Sequence, residues 1–410
     1  MVQGANGWYV FSDLAAFEAR RPDSFRRASG VEPRIFATTR TGAFVSDHVT
    51  ASGSLTLDAG VRLDVVTWPS PVSIAQRQVE PRVGFAWSPL AAWVVRTGAG
   101  IFADRIPLAA LDRVLAMNGV SGVEEILEPP AASAAPSICT VRSGAWHPSS
   151  RQTSIGIERL LTSDLTVSAN YLFVHGVDLP RTVNVGLANA MFELQPAGES
   201  SYHGLSLAAN RRLSHEIAWS ASYTWSRALD TASDFDEQPQ NPLALHEEWG
   251  RFRYDQPHRL VANALFDLPI GDEEDRISGP TPDWWVRALS NIEAATILTV
   301  SSGQPVNPIT GSDDLHTLSF PLVVRPPGAL RNSLRLPAFA AADVRLLKAI
   351  AIKPHGKLDL VVEAFNILNR QNVIGIDPVF GPGPSPRPGF GRAIEAANPR
   401  HIQFSIDVEF

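Results

Sequence analysis

The chain has 410 residues, of which 44% are apolar and 19% are charged, and this composition excludes an intrinsically disordered protein. The net charge of −7 argues against a protein that binds nucleic-acid phosphates through an excess of cations. Cys139 is the single cysteine, so the chain has no intramolecular disulfide and no cysteine-based metal cluster.

The first 33 residues contain no secretory signal, because acidic and basic residues interrupt every short apolar stretch. Within them, Ser12 as an N-cap before Leu14 and Phe17 predicts a short helix. No apolar run reaches about 18 residues, so no transmembrane helix is expected. The absence of a long apolar run does not exclude membrane-spanning β-strands, because a hydropathy window does not detect their alternating pattern.

Alternation of apolar and polar residues is the strongest pattern in the sequence. It is strict over 402–410 and 55–65 and clear over 165–171 and 217–225. Weaker alternation extends the pattern along the chain and predicts about thirteen strands, at 34–49, 55–65, 81–88, 93–103, 151–161, 165–174, 202–213, 217–227, 258–268, 291–301, 341–351, 358–366 and 402–410.

The connections between these strands are alternately short and long. Short links are expected at 51–54, 89–92, 162–164, 214–216 and 352–357. Long links are expected at 66–80, 104–150, 174–201, 228–257, 302–340 and 367–401. Short turns at one end and long loops at the other are typical of an outer-membrane barrel. A soluble sandwich or propeller would keep most of its turns short.

The alternating residues also differ in chemistry. The polar face is small and hydroxylic, as a wet lumen requires, whereas the aromatic residues Tyr171, Tyr223, Trp225 and Phe410 lie near strand ends, where a membrane interface would place them. A soluble β-sandwich remains the alternative. Residues 107–118 predict a loop helix, since Pro107 suits a first turn and Gly119 a helix end.

Six segments, in this order, resemble the barrel region of TonB-dependent outer-membrane transporters, in particular the Oar-like group. They are 81–89 (PRVGFAWSP), 95–105 (VRTGAGIFADR), 223–230 (YTWSRALD), 254–259 (YDQPHR), 331–345 (RNSLRLPAFAAADVR) and 363–369 (EAFNILN). The resemblance implies a bacterial outer-membrane location and a 22-stranded barrel whose lumen holds a plug. The family's signal peptide, TonB-contacting box and plug are absent from this sequence.

On this basis we expect an all-β protein, an antiparallel transmembrane β-barrel with long extracellular loops and one or two short loop helices. Residues 1–33 would form an extracellular-loop segment and residues 34–410 a partial barrel. Thirteen is an odd number, and a bacterial single-chain barrel has an even one, so at least one strand before residue 34 is expected to be missing. Both edges of such a sheet would be unpaired in lipid unless an upstream segment completes it or the chain closes on itself as a smaller barrel.

No constellation in the sequence predicts catalysis, a metal or a cofactor. The candidate polar cluster is Asp255, His258 and Arg259, at the lumen or at the base of a loop. No second histidine stands at a metal-ligand spacing, and Arg259 would repel a cation, so an ion-pair network is the better interpretation.

The C-terminal strand resembles the signal that barrel-assembly machinery reads, a terminal aromatic residue preceded by alternate apolar residues. The residues are Ile402, Phe404, Ile406, Val408 and Phe410. The alternative is that they simply face lipid.

The function that the resemblance implies is ligand recognition and passage across the outer membrane, without bond chemistry. The expected partners are outer-membrane lipid, the assembly machinery and a ligand, with a plug and TonB if an upstream segment supplies them. A structural or adhesive outer-membrane protein is the second hypothesis. A secreted β-rich enzyme is the third.

Overall fold

The computed structural model describes residues 6–11, 14–30, 35–127, 135–186, 190–214, 216–268, 289–319, 322–352 and 356–409. Thirteen of the strands in these residues form one antiparallel meander in which neighbours in sequence are neighbours in the sheet. They are β1 (Thr39–Ser52), β2 (Leu55–Thr67), β3 (Ile74–Trp87), β4 (Trp93–Ala103), β5 (Ser149–Leu160), β6 (Leu165–Asn184), β7 (Met191–Ser214), β8 (Ile217–Asp230), β9 (His258–Asp267), β10 (Ile292–Ser301), β11 (Phe339–Ile352), β12 (Gly356–Phe365) and β13 (His401–Glu409). All thirteen strands expected from alternation are confirmed.

The register gives the sheet one apolar and one polar face. Tyr223 of β8 is opposite Leu207 of β7 and Leu260 of β9, while the next residue, Thr224, is opposite Ser206. Successive side chains of a strand point to opposite faces, so the alternation in sequence makes one face of the sheet mainly apolar and the other mainly polar. The polar lines are joined by hydrogen bonds such as Ser206 Oγ to Thr224 Oγ1 at 3.0 Å.

Several strands extend further than the sequence predicts. β3 begins at Ile74 rather than 81, β6 ends at Asn184, and β7 begins at Met191. The expected long links at 66–80 and 174–201 are therefore wrong, and the chain turns within 68–73 and 185–190 instead. At the start of β3 the apolar-polar alternation fails because the covered face is polar: Gln76, Gln78 and Glu80 are buried, whereas Val79 on the other face is exposed.

One end of the sheet, the short-turn end, carries the links 53–54, 88–92, 161–164, 215–216 and 353–355. β9 ends and β10 begins at this same end. The other end, the long-loop end, carries the remaining connections, whose described residues include three helical segments: α1 (Leu14–Glu18), α2 (Leu108–Ala116) and a 3₁₀ turn (Leu245–Glu248). Both predicted helices are confirmed, although Ser12 lies outside the described residues. No helix in the described ranges is long and apolar enough to cross a membrane.

The connections at the long-loop end contain short strands of their own. Trp8–Val10, Ser24–Ser29, Val123–Leu127 and Ala135–Val141 form an antiparallel ladder, and the last of them runs parallel to β7. The others are Gly144–Ala145, Gly250–Arg251, Pro305–Val306, Leu334–Arg335, Val373–Ile376 and Ala393–Ala396. We call this assembly of loops, together with residues 6–38 and the strand ends that meet it, the cap.

The two outermost strands are edges of the sheet. Within the described residues, β1 is paired only with β2, and β13 is paired only with β12. Both strands run from the long-loop end to the short-turn end. The open edges agree with those expected for an incomplete sheet of odd strand number.

Candidate functional site

The hydrophobic core of the protein lies in the cap. Its most buried members come from distant parts of the sequence and include Leu111 and Val114 of α2, Trp146, Phe192 and Leu318. α2 contributes Ala110, Leu111, Val114 and Leu115, which recur every three or four residues and therefore share one face of the helix. The loops are thus folded onto one another around a common core.

Two arginines of the 302–338 loop clamp the 231–257 loop. Arg331 donates to both carboxylate oxygens of Glu237, at 2.6 and 3.0 Å, and to Oδ1 of Asp230 at 2.6 Å. Arg325 donates to both oxygens of Glu248 at 2.8 and 2.9 Å. Paired N–H donors facing paired oxygens give these contacts both strength and fixed geometry. The relative position of the two loops is therefore fixed.

Charge pairing outweighs burial at one of these carboxylates. Burial by itself would raise the pKa of Glu237, but the hydrogen bonds and the charge of Arg331 lower that pKa below its usual range. Glu237 therefore stays ionised in the folded cap, and it also accepts a hydrogen bond from the Ser233 N–H at 2.6 Å.

A short turn, residues 313–319, lies where three parts of the chain meet. The guanidinium of Arg26 donates to the Leu318 carbonyl and the Asn184 amide donates to the Thr317 carbonyl, each at 2.7 Å. The Ser319 hydroxyl donates to Gln238 at 2.6 Å. The 313–319 turn is thereby held by the N-terminal segment, the end of β6 and the 231–257 loop.

Two clefts border the 313–319 turn and share His316. One, of about 520 Å³, lies between Asn184, the 239–242 segment and the turn. The other, of about 400 Å³, lies between the turn and residues 22–26. Both volumes are in the range of small-molecule sites, and both linings contain hydroxyl and charged groups that can orient a ligand.

Arg181, near the end of β6, is a buried cation of a different kind. Its side chain is fully buried, and none of its three guanidinium nitrogens has a hydrogen-bond partner in the described part of the chain. Burial lowers the pKa of Arg181 to about 10, against the opposing charge of Glu248. A buried donor without an acceptor is destabilising, so the position is an energetic weak point of the cap.

The structure separates the three residues of the predicted polar cluster. Asp255 is buried at the base of the cap and pairs with Arg335 at 2.8 Å and Arg251 at 3.1 Å. His258 lies on the apolar face, with its Nδ1 2.7 Å from the Tyr223 hydroxyl. Arg259 follows on β9 and belongs to the polar face. Arg251 is 4 positions from Asp255 in the sequence and Arg335 is 80 positions away, so sequence spacing alone does not reveal Arg335 as a partner.

The residues proposed as an assembly signal occupy β13. Ile402, Phe404, Ile406 and Val408 follow one another on its apolar face, and Phe404 is 76% exposed. Phe410 lies outside the described residues. Elsewhere in the described ranges, no group of three or more His, Cys, Asp or Glu residues is placed to hold a metal ion.

A model of the family described as "outer membrane beta barrel domain" matches residues 69–328. No curated protein sequence matches. Solved structures of the same fold include the FrpB iron transporter of Neisseria meningitidis, with a TM-score of 0.55 at 14% identity over 90% of this chain and 44% of that one.

Two further similar structures are an outer-membrane transporter and a receptor. The outer membrane transporter YddB of Escherichia coli gives a TM-score of 0.59 at 12% identity, over 90% of this chain and 45% of that one. The siderophore receptor PiuA of Acinetobacter baumannii gives 0.53 at 10% identity, over 95% and 44%. The chain spans less than half the length of each of these three proteins.

Proposed function

The chain belongs to the family of outer-membrane β-barrel domains, and from this membership we propose that it acts in ligand recognition and in passage of the ligand across the outer membrane. The apolar face of the sheet contacts lipid, the polar face lines the lumen, and the cap lies outside the cell. The observation that carries the proposal is the cap itself, whose core, arginine clamps and paired clefts form a preorganised structure.

We place ligand recognition at the 313–319 turn. Each cleft that borders it combines charged and hydroxyl groups. Hydrogen bonds from Arg26 and Asn184 hold the backbone of the turn, and the hydroxyl of Ser319 ties the turn to Gln238. A fixed turn costs little ordering entropy when a ligand binds, which favours affinity. Asp255, tied to Arg335 and Arg251, would hold the base of the cap above the lumen.

Energised passage would need a plug and a contact with the partner TonB, and a further segment would have to supply both. The two sheet edges support a further segment too, because unpaired backbone groups in hydrocarbon each cost several kcal/mol. Since β1 and β13 run in the same direction, antiparallel closure requires an odd number of additional strands.

The experiment compares cells that carry the protein with cells that lack it, using ⁵⁵Fe-labelled ferric citrate and ferrichrome as probes. Iron chelates are chosen because FrpB is an iron transporter and PiuA a siderophore receptor. Passage predicts surface binding followed by accumulation that stops when an uncoupler removes inner-membrane energy. His316→Ala should weaken binding, whereas His246→Ala, an exposed histidine of the 231–257 loop outside both clefts, should not.

An adhesive protein is the alternative. It is favoured if cells carrying the chain bind surfaces or other cells, while neither chelate binds or accumulates and the uncoupler changes nothing.

A further inference from the structure

From the level of Ser149 and Ser201 to the short-turn end, the apolar face of β5–β9 carries basic side chains and no carboxylate. The outward positions in this region are every second residue starting from Ser149, Leu165, Ser201, Ile217 and His258, following the register of the sheet. The arginines and histidines at these positions are Arg151, Arg159, His175, His203, Arg211, Arg227 and His258. Acids occur on the same strands only outside this region, as at Glu199 on the cap end of β7, or on the polar face, as at Glu158, Asp230 and Asp267.

Five of these side chains form a row near the long-loop end: Arg151, His175, His203, Arg227 and His258. Arg151 is directly opposite His175, and His203 is directly opposite Arg227. Going from β5 to β9, the row moves toward the short-turn end by about one residue per strand. Strands tilted by about 35–45° produce this shift for positions at one height. The size of this shift therefore fits a row at a single height on the wall of a tilted-strand barrel.

An aromatic belt lies directly beneath the row and fixes its depth. The hydroxyl of Tyr171 is 2.7 Å from Nδ1 of His203, and the hydroxyl of Tyr223 is 2.7 Å from Nδ1 of His258. Trp225, which is 58% exposed, is opposite His258. Tyrosine and tryptophan at such positions lie at headgroup level, so the basic row is at or just above the lipid headgroups.

The arginines of the row are available to an anion. Arg151 and Arg227 are exposed, and neither side chain has an ion pair with another described residue. The nearest acids along β6 and β7, Asp178 and Glu199, lie beyond the row on the side away from the apolar band. Arginine pairs readily with phosphate oxygens, which gives the row charge complementarity to an anionic headgroup.

Below the row, the same face is grooved. A cleft of about 560 Å³ is lined almost entirely by apolar groups, with Ile157, Leu207 and Tyr223 beside the small residues Ala169 and Ala221. The basic row and the apolar groove belong to the same strands. Together they match a molecule with a charged head and a hydrocarbon tail.

We infer that the outward face of β5–β9, from the basic row toward the short-turn end, is a binding surface for a phosphate-bearing lipid of the external leaflet. The row of Arg151, His175, His203, Arg227 and His258 binds the headgroup phosphate, and the groove holds an acyl chain. This surface follows from the outer-membrane location and is independent of the proposed transport.

The test measures which lipids surround the protein. The full-length protein, extracted from outer membranes in mild detergent, is reconstituted into phosphatidylcholine vesicles that contain spin-labelled phosphatidylglycerol or spin-labelled phosphatidylcholine. The ratio of the two association constants is read from the motionally restricted component of the spectrum. We compare the wild type with the double variant Arg151→Gln/Arg227→Gln and with Arg96→Gln. Arg96 lies on the polar face of β4, where it pairs with Glu158 at 3.4 Å.

The wild type should prefer phosphatidylglycerol, and the double variant should lose that preference by a factor of about five or more, the contribution of a basic side chain beside an anionic headgroup. Arg96→Gln should keep it, and high salt should weaken it in the wild type without any substitution. An unchanged ratio in the double variant, an equal loss in Arg96→Gln, or insensitivity to salt overturns the inference. Competition by inorganic phosphate at concentrations that leave ionic strength unchanged would instead assign the row to free anions.

Discussion

Nη1 of Arg331 donates a hydrogen bond to Oδ1 of Asp230 at 2.6 Å, and the two residues are 101 positions apart in the sequence. Both side chains are almost completely buried. The contact joins the 302–338 loop to the end of β8. It therefore couples a loop of the cap directly to the membrane sheet.

Two buried arginines provide a matched comparison of stability. Arg331→Met leaves Asp230 and Glu237 buried without their partner and should destabilise the cap by about 3–5 kcal/mol. Arg181→Met removes a buried cation whose nitrogens have no described hydrogen-bond partner, so it should be neutral or stabilising. The stability of the cap in both variants is measured by denaturant titration, with protease cleavage of the loops as the readout of unfolding. The idea is wrong if Arg181→Met costs as much as Arg331→Met.

The two faces of β8 should differ in their tolerance of charge. Ala221 is opposite Ala209 and Ala262 on the apolar face, while Ser222 is opposite Ala208 and Val261 on the polar face. Ala221→Arg should cost about 2–4 kcal/mol near the bilayer midplane, and Ser222→Arg should be mild. Folding into lipid, followed by heat-dependent gel mobility, compares them. Equal costs, or a larger cost at 222, would contradict the face assignment.

The thiol of Cys139 should not react with alkylating reagents in the native protein. It is buried in the cap core, and desolvation raises the pKa of its thiol to about 11. The reactive thiolate is therefore scarce at neutral pH. Iodoacetamide should label Cys139 only after the cap unfolds. Labelling of the native protein at the rate of the unfolded chain would show that the cap core is open.

Asp164 should stabilise the 161–164 turn in a pH-dependent manner. Its hydrogen bonds to Thr162 and Arg211 lower its pKa to about 2. Because the folded-state pKa is depressed, the stabilisation is complete above the ordinary pKa of an aspartate and is lost as the pH falls toward 2. Asp164→Asn should lower the denaturant midpoint near neutral pH and match the wild type at about pH 2. A difference that persists unchanged in acid would exclude ionisation as the cause.

The C-terminal strand should matter for assembly rather than for selectivity. Phe410→Ala, or deletion of Phe410, should reduce the amount of protein that reaches the outer membrane, because the assembly machinery is expected to read Phe410 together with the apolar residues of β13. Ligand selectivity of the assembled fraction should not change. Immunoblots of outer-membrane fractions measure this, and normal levels of the truncated protein would argue against the signal.

The membrane part of the fold was predictable because one face contacts hydrocarbon. β2 and β13 alternate strictly, and each was located to within a few residues. The prediction failed where the environment changes. At the ends of β6 and β7 the cap covers both faces, so Phe192 and Leu194 are buried at alternate positions between residues that are themselves largely covered.

Most contacts of the candidate site could not be predicted from the sequence. The sequence grouped Asp255 with His258 and Arg259, whereas in the structure Asp255 is paired with Arg335, which comes from another loop. The 313–319 turn gives no periodic signal, since Asp313 fixes it through hydrogen bonds to the Thr317 and Leu318 N–H groups. Contacts between irregular segments depend on three-dimensional proximity, which period-2 and period-3.6 patterns do not encode.

The hydrophobic core gives the cap a shared stability. Its residues extend from Val72 to Leu318, so loops from well-separated parts of the chain contribute to one buried cluster. Trp146, Phe192 and Leu318 are buried members of that cluster, and an opening that moves one of these loops away exposes the apolar side chains of the others. The loops of the cap should therefore gain protection from hydrogen exchange together, as one cooperative unit.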